Sequence, residues 1–452
     1  MPAPSLDRTL RLRSVVLFGL AYMAPMIVLG TFGVIAEETG GTVPSAYLLA
    51  LVAMLFTAFS YGKMAAAHPV AGSAYTYVRR TIDSRAGFLV GWATLLDYFF
   101  LPMVIWLIGA TFLQQGFPSV PFSAWIVGFI LLTTVLNVLG IKVADKANFI
   151  LMAFQLLVVA AFVVLSLRHV FVVGGGAGAW FSTAPFVNST TTFASVSAGA
   201  GIAAYSFLGF DAVTTLTEET IDPRRTMPKA IMLIALIGGV IFAVVTYATQ
   251  LVHPGGTFDD ASSAAFEIAK TIGTDLFAAI FLAGMVVTQF ASGIAAQASV
   301  SRLLYAMGRD RVLPNKVFGY VHPRFRTPII NIVICGVAGL IALFLSVTTS
   351  TSFINFGAFL AFTSVNICVI VLYTQLRRSG ERPNPLAYLV VPAIGAVVDL
   401  WLLINLDATA KILGGCWLLL GIIYLAVLTR GFRRPPPELH DDVAEQPESA
   451  TA

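Results

Sequence analysis

Twelve apolar stretches dominate this sequence, centred near residues 25, 54, 100, 130, 156, 205, 240, 285, 337, 362, 396 and 420. A helix needs roughly 20 apolar residues to cross the hydrocarbon core of a bilayer, and each stretch is near that length. Of the 452 residues, 58% are hydrophobic and 11% are charged, whereas a soluble domain carries about 25% charge. The chain therefore reads as an all-α polytopic membrane protein with twelve transmembrane helices and the lipid bilayer as its solvent. The first apolar stretch is too long for a cleaved signal peptide and lacks a small-residue cleavage site, so it too reads as a span.

Basic residues give the orientation. With the N-terminus in the cytoplasm, all of the 27 Lys and Arg residues fall in inner segments except Arg168, Lys270 and Lys411. Inner loops carry the excess of Lys and Arg, so both termini are expected in the cytoplasm and the span count should be even. The net charge of +4 follows from that topology and implies no nucleic-acid partner. Residues 1–13 form a basic cytoplasmic lead, 14–432 the transmembrane domain, and 433–452 (RRPPPELHDDVAEQPESATA) a proline-rich, polar tail expected to be disordered. Cys335, Cys368 and Cys416 sit singly in separate spans, without metal or disulfide spacing, and read as small core residues.

Two spans are interrupted in matching ways. The first contains FGLAYMAPMIVLGTFG, residues 18–33, with Pro25 in its middle. The sixth contains ASVSAGAGIAAYSFLGFD, residues 194–211, loosened by Gly199, Gly201 and Gly209. Broken helices in lipid are tolerated where the freed backbone lines a cavity. Paired breaks in corresponding positions of two halves point to a transporter's substrate site. Lying five helices apart, the breaks suggest two five-helix halves of opposite topology plus two further helices.

Pro25 offers no N–H and leaves the carbonyl of Ala21 without its helical partner. That carbonyl could meet an ammonium group or a cation; a simple kink is the alternative. In the sixth span, Tyr205, Phe207 and Phe210 supply aromatic faces that suit a cationic substrate. Asp211 stands where a second half-helix would begin. It reads either as an N-cap acceptor or as a protonatable group that couples a proton, since an intramembrane acid is functional by default. Asp97 in the third span has only Thr94 and Tyr98 as polar neighbours, and must face the bundle, a substrate ammonium or a structural partner. Asp399 lies outside the two repeats and reads as structural or as a contact in a homo-oligomer. Glu218 and Glu219 could latch onto Arg302 as a gate. Gln289 and Ser292 of the eighth span read as small polar groups facing the core, able to help hold sodium or to bond a neighbouring helix. Residues 73–80, after the second span, read as an amphipathic helix in the interface. Asn188-Ser-Thr190 matches a weak glycosylation pattern. The five histidines lie in loops or the tail, and no hydrolase or metal motif is present.

Several motifs resemble those of the amino acid–polyamine–organocation permeases, across about Leu10 to Arg430. They are Tyr61-Gly-Lys-Met with Pro69 and GSAYTY; FLGFD with Glu218-Glu219, Pro223 and Pro228; and SRLLYAMGRD, residues 301–310. Within that group GLAYMAPM, GWATLLDYFFLPM, FLGFDAVTTLTEET and GYVHPRFRTP resemble bacterial putrescine importers. The resemblance implies a LeuT-like fold, with five plus five inverted helices, discontinuous helices 1 and 6, and two helices more, in the inner (plasma) membrane. It implies a site formed by spans 1, 3, 6, 8 and 10. Relatives that carry amino acids hold the substrate carboxylate on glycine-rich backbone N–H groups in span 1. Here Ala24-Pro25-Met26 stands in that place, and proline deletes a donor. A diamine, lacking a carboxylate, would lose little and would find Asp97 and Asp211 for its ammonium groups. Tyr205 matches a stacking or gating aromatic of relatives, and Asp211 a carboxylate tied to gating or proton linkage. Some relatives carry a lysine within span 5 in place of sodium; here Lys146 lies only at the inner end.

The expectation is thus a secondary active transporter that imports putrescine or a related polyamine by proton symport and alternating access. The substrate would touch Ala21, Tyr22, Ala24, Pro25, Met26, Asp97, Tyr98, Tyr205, Ser206, Phe207 and Gly209, without metal or cofactor. An amino acid permease is the alternative within the class. A channel, a membrane-embedded hydrolase and a non-transporting nutrient sensor are readings from other classes.

Overall fold

The computed structural model describes residues 8–69, 73–140, 145–309 and 312–436, without the side chains of 145–149, 218 and 306. The first seven residues of the basic lead, Gly72 of GSAYTY, Lys142, the side chain of Lys146, the Asp310-Arg311 pair and the tail from 437 lie outside the described residues.

The described residues form helices joined by short turns, and twelve segments match the twelve apolar stretches. Span 1 is a bent pair, Leu12–Tyr22 and Ile27–Thr39, turned by 49°. Spans 2, 3, 5, 6, 7 and 8 are Val43–Ala67, Ser84–Gly116, Ile150–Val173, Phe193–Thr217, Pro223–Val252 and Asp275–Arg309. Spans 10, 11 and 12 are Val347–Arg378, Leu386–Ile404 and Ala408–Leu428. Span 4, Phe122–Val138, and span 9, Ile329–Leu343, are shorter apolar helices.

The packing shows the inverted repeat. Span 2 lies along span 7, and span 3 along span 8. The first half of span 1 rests on span 7, while the first half of span 6 rests on span 2. An axis in the membrane plane that swaps the halves exchanges these pairs. Small residues allow the close approach, as is usual between helices in lipid. A Cβ at Gly62 would lie 3.1 Å from Pro228 Cα, and one at Gly239 would lie 2.3 Å from Leu51 Cδ1. Spans 11 and 12 sit at the rim with most of their residues facing outward.

Four expectations change at this level. Gly199 and Gly201 do not break span 6; they lie within the helix Phe193–Ala203. Their role is contact, since a Cβ at Gly199 would meet Thr39 Cγ2 at 2.4 Å and one at Gly201 would meet Leu406 Cδ2 at 3.0 Å. The amphipathic segment after span 2 is indeed a helix, Ser73–Thr81, but it packs against spans 3 and 10 and buries Ala74, Tyr77 and Val78 rather than lying on the membrane surface. Cys416 is exposed on the rim, unlike the buried Cys335 and Cys368. Asn188 ties a turn to span 1, its Nδ2 donating to Gly40 O at 2.8 Å.

Asp399 is resolved as structural. It is fully buried, and its Oδ2 accepts from Thr57 Oγ1 at 2.7 Å and from Asn366 Nδ2 at 3.0 Å. The Ser60 hydroxyl donates to Asn366 Oδ1. The network fastens span 11 to spans 2 and 10 from inside the bundle, which removes Asp399 from any contact between copies. Asp399→Ala would leave the Thr57 hydroxyl without its acceptor and remove one acceptor of the Asn366 amide, a loss of about 1–3 kcal/mol. The expected outcome is a lower thermal midpoint in detergent with an unchanged apparent substrate affinity in reconstituted vesicles; a changed affinity at unchanged stability would contradict the structural role.

Candidate functional site

Span 1 breaks where proline dictates. Pro25 cannot donate, and the residue before a proline avoids the helical region. Ala24 takes a φ of 47°, rare for a residue with a Cβ. Ala24 N donates to Ala21 O at 3.2 Å, and Ile27 N to Ala24 O at 2.8 Å. The Ala21 carbonyl, expected to be free, is therefore already engaged, although a carbonyl retains a second lone pair.

Span 6 breaks one element later than its glycine pattern suggests. The helix Phe193–Ala203 starts on a capping box between Thr192 and Ser195 and tightens into a 3-10 turn at Ala204–Phe207. Leu208 then turns extended, with ψ 130°, and Gly209 takes φ 109°. Only glycine visits that region freely. The chain resumes at Ala212–Glu219, with Asp211 at its N-cap. The Asp211 side chain makes no cap bond. Its Oδ2 instead faces the Ser73 hydroxyl at 3.4 Å, at the long limit for a hydrogen bond.

The two breaks touch. A Cβ on Gly209 would lie 2.2 Å from Tyr22 Cδ1, so the ring that ends the first half of span 1 covers the bare backbone of the break in span 6. Beside this contact is a cavity of about 310 Å³. Ala21, Tyr22 and Ala24 form one wall, with Tyr205 and Leu208 of span 6 next to them. Leu101 and Ile105 come from span 3, Gln155 from span 5, and Thr288, Gln289 and Ser292 from span 8. Among the described residues, no charged side chain lines this space.

Ala291, Ala295 and Ser299 of span 8 also border a wider space of about 1030 Å³ that is edged by Arg302, Tyr305, Phe325 and Arg326. The cavity thus leads towards the basic end of the molecule. The other end is packed shut. The half-helix Ile27–Thr39 is buried along most of its length. A Cβ at Gly33 would lie 2.2 Å from Ala261 O, and one at Gly256 would lie 2.2 Å from Ala36 O. Phe258 packs edge-on against Phe32 and stacks under His253 at 4.2 Å.

The acids stand just behind this lining. Asp97, Leu101 and Ile105 share one face of span 3 at helical spacing, which puts Asp97 one turn beyond the lined portion. Its Oδ1 is buried with no hydrogen-bond partner. Tyr22 and Tyr98 both lie within electrostatic reach of Asp97 and Asp211, and Tyr205 within reach of Asp97. Tyr98 itself lines a neighbouring aromatic chamber of about 250 Å³ with Ser73, Tyr75 and Trp92, which meets the main cavity at Ser299.

Of the residues expected to touch substrate, Ala21, Tyr22, Ala24 and Tyr205 line the cavity. Seven others do not: Asp97 and Tyr98 stand beside it, and the remaining five are held elsewhere by packing. Pro25 is buried in the turn. Met26 is fully buried with its thioether against Gly284. Ser206 points away from the cavity, its Oγ 2.8 Å from Tyr47 Oη, which in turn lies 3.0 Å from Thr31 Oγ1. Phe207 stacks edge-on against Phe242 at 5.2 Å. Gly209 is covered by Tyr22. Span 10 contributes nothing to the lining; it braces the break, with Asn355 Nδ2 donating to Gly201 O at 2.7 Å. Span 5 takes its place through Gln155. The signal for Gln155 was present, since it is the single polar residue between Phe149 and Leu165.

The expected gate is not formed by an ion pair between Glu219 and Arg302, neither of which is paired in this way among the described residues; the side chain of Glu218 lies outside them. Glu219 is held by its backbone, its carbonyl accepting from Thr9 N and Leu10 N, both at 2.9 Å. Arg302 is exposed at the rim of the wide opening.

A bundle of twelve membrane helices with two broken spans meeting at a central cavity defines a transporter of the permease type. The amino acid permease family model matches residues 14–413. The chain is 41% identical over 441 residues to the low-affinity putrescine importer PlaP of Escherichia coli (strain K12), with 97% of each chain covered. It is 30% identical over 427 residues to the branched-chain amino acid permease BcaP of Lactococcus lactis, covering 87% of this chain and 88% of that one. It is 26% identical over 460 residues to the methylthioribose transporter of Bacillus subtilis, covering 94% of each. The chain belongs to the amino acid permease family of the amino acid–polyamine–organocation superfamily and is a multi-pass membrane protein.

The Tyr22–Gly209 contact makes a sharp prediction. Gly209→Ala places a methyl group against the Tyr22 ring at a positive φ, a strain of more than about 1 kcal/mol. Uptake should fall at least about tenfold and the thermal midpoint should drop. Gly128→Ala, where a Cβ meets nothing within 4 Å, should change neither. Equal behaviour of the two variants would remove the contact from the mechanism.

Proposed function

We propose that this permease imports putrescine or a closely related polyamine across the plasma membrane, coupled to a proton. The observation that carries the reading is the composition of the site: carboxyl groups stand behind a cavity that Tyr22 and Tyr205 help to line, and among the described residues no basic group lines it. Asp97 offers an unpaired oxygen within electrostatic reach of Tyr22 and Tyr205. A cationic amine compensates such an acid, whereas a substrate carboxylate would find no cation opposite it. Pro25 also removes one backbone N–H from the break in span 1. The 41% identity to a putrescine importer over nearly the whole chain supports the same substrate class.

Tyrosine faces next to the breaks add cation–π attraction, worth about 2 kcal/mol in a dry site. Asp211, half-buried beside Ser73 and within electrostatic reach of Tyr22 and Tyr98, is the proton-coupling group. The positive-inside rule puts the wide opening at Arg302 and Arg326, and both termini, on the cytoplasmic side. The described conformation then corresponds to the inward-facing state, and alternating access requires the packed contact of Phe258 on Phe32 to open as the inner space closes. The second reading is a proton-coupled amino acid permease, favoured by the family match and by the likeness to BcaP.

The test is radiolabelled putrescine uptake into proteoliposomes, with and without an inward proton gradient, challenged by spermidine, lysine, alanine and glutamate. Gradient-driven uptake blocked by polyamines alone is expected; transport of an amino acid in place of putrescine would favour the second reading. Asp211→Asn should abolish accumulation driven by the gradient and spare exchange of putrescine across the membrane, and unchanged accumulation would dismiss the coupling role. Pro25→Gly, which restores an N–H donor, should raise inhibition by carboxylate-bearing competitors several-fold, about the worth of one hydrogen bond to a charged group. An unaltered inhibition profile would show that the missing donor does not set selectivity.

A further inference from the structure

Three buried polar groups on the far wall of the cavity have nothing to bond. Gln155 of span 5 is 8% exposed, and Thr288 and Gln289 of span 8 are 3% and 1% exposed. All three line the cavity. Gln155 Oε1, Thr288 Oγ1 and Gln289 Nε2 lack any hydrogen-bond partner. Buried polar groups are normally satisfied, so three orphans among the residues of one lining point to a place that a ligand completes.

The chemistry of the three groups selects the ligand. Gln155 Oε1 is an acceptor without a donor, and a carboxylate cannot fill it. The Thr288 hydroxyl and the neighbouring Ser292 hydroxyl accept as well as donate. Gln289 Nε2 is a donor as it stands, and this amide meets an ammonium only after it turns over and presents its oxygen in the same volume. Neutral oxygens on a wall without any basic residue suit an ammonium group, which brings three N–H donors and no acceptor. Asp97 lies one turn beyond Leu101 on the face of span 3 that carries Leu101 and Ile105.

We infer that Gln155, Thr288 and Gln289 form a second, uncharged subsite that receives the distal ammonium of a diamine whose first ammonium is drawn towards Asp97. The inference rests on the polyamine reading and adds the residues that distinguish a diamine from a monoamine of equal chain length. Recognition at two points makes the cavity selective without a second buried charge. An uncharged subsite also avoids the trap of two fixed anions, from which a dication would leave slowly.

The experiment compares inhibition of labelled putrescine uptake by unlabelled putrescine and by n-butylamine in proteoliposomes. In the wild type, putrescine should inhibit at concentrations at least about tenfold lower, the equivalent of a hydrogen bond to a charged group. Gln155→Leu and Thr288→Val should weaken putrescine about tenfold while leaving n-butylamine unchanged, which closes the gap. Gln155→Glu should tighten putrescine relative to n-butylamine, a gain that a misfolded variant cannot show. Wild-type putrescine uptake with the same diamine preference in all three variants, or with parallel weakening of both amines and no gain in Gln155→Glu, would overturn the subsite and leave the polyamine reading standing. Absence of putrescine uptake by the wild type would overturn that reading and the ammonium assignment together.

Discussion

The ring of Tyr22 lying on the backbone of Gly209 is the contact on which the site depends. It joins the end of one half-helix to the break in its symmetry partner. Neither break is stable alone in lipid, because unpaired backbone groups are expensive wherever water is absent. Placed against each other, they share one protected space in which freed backbone can face a cavity. Ala24 at φ 47° and Gly209 at φ 109° are the conformational requirement for that arrangement. The close pairing of spans 2 and 7, and of 3 and 8, holds the breaks at one depth.

Charge is arranged in layers around that space. Among the described residues the lining itself is uncharged and mainly apolar, with a few hydroxyl, amide and phenol groups set into it. The acids come next, with Asp97 one turn beyond the lined part of the span 3 face and Asp211 at the start of the resumed span 6. Basic residues gather at the wide opening. Acids one layer back give a cation a favourable potential without a rigid ion pair. Asp399 shows the contrast: a fully buried acid, bonded by Thr57 and Asn366 from two neighbouring helices, has become part of the frame.

Much of this architecture was legible in the chain. The number of spans follows from apolar length, and the break in span 1 from the chemistry of proline. That Asp211 begins a new half-helix, and that Asp399 stands apart from the repeats, also came from position alone. The misplacements share one cause. Ser206, Phe207 and Met26 sit within a few residues of the true lining, yet a step of one residue rotates a side chain by roughly 100° about a helix of 3.6 residues per turn. Span 6 is apolar on all sides, so no amphipathic stripe indicates which face meets the cavity. Gly199, Gly201 and Gly209 look alike in sequence, but two of them allow helix contact and only the third turns the chain.

Gln155 shows the same boundary from the other side. A lone amide in an apolar span marks a polar environment, but whether that environment is a neighbouring helix or a cavity depends on how spans 1, 3, 5 and 8 are rotated against each other. The sequence by itself determined a twelve-span membrane protein, its two breaks and its buried acids, because apolar length, proline geometry and the expense of a charge in lipid are local properties. Which side chains line the cavity, that Tyr22 covers Gly209, and that span 5 replaces span 10 in the wall were decided only by tertiary structure, because helix rotation and depth are set by packing between segments far apart in the chain.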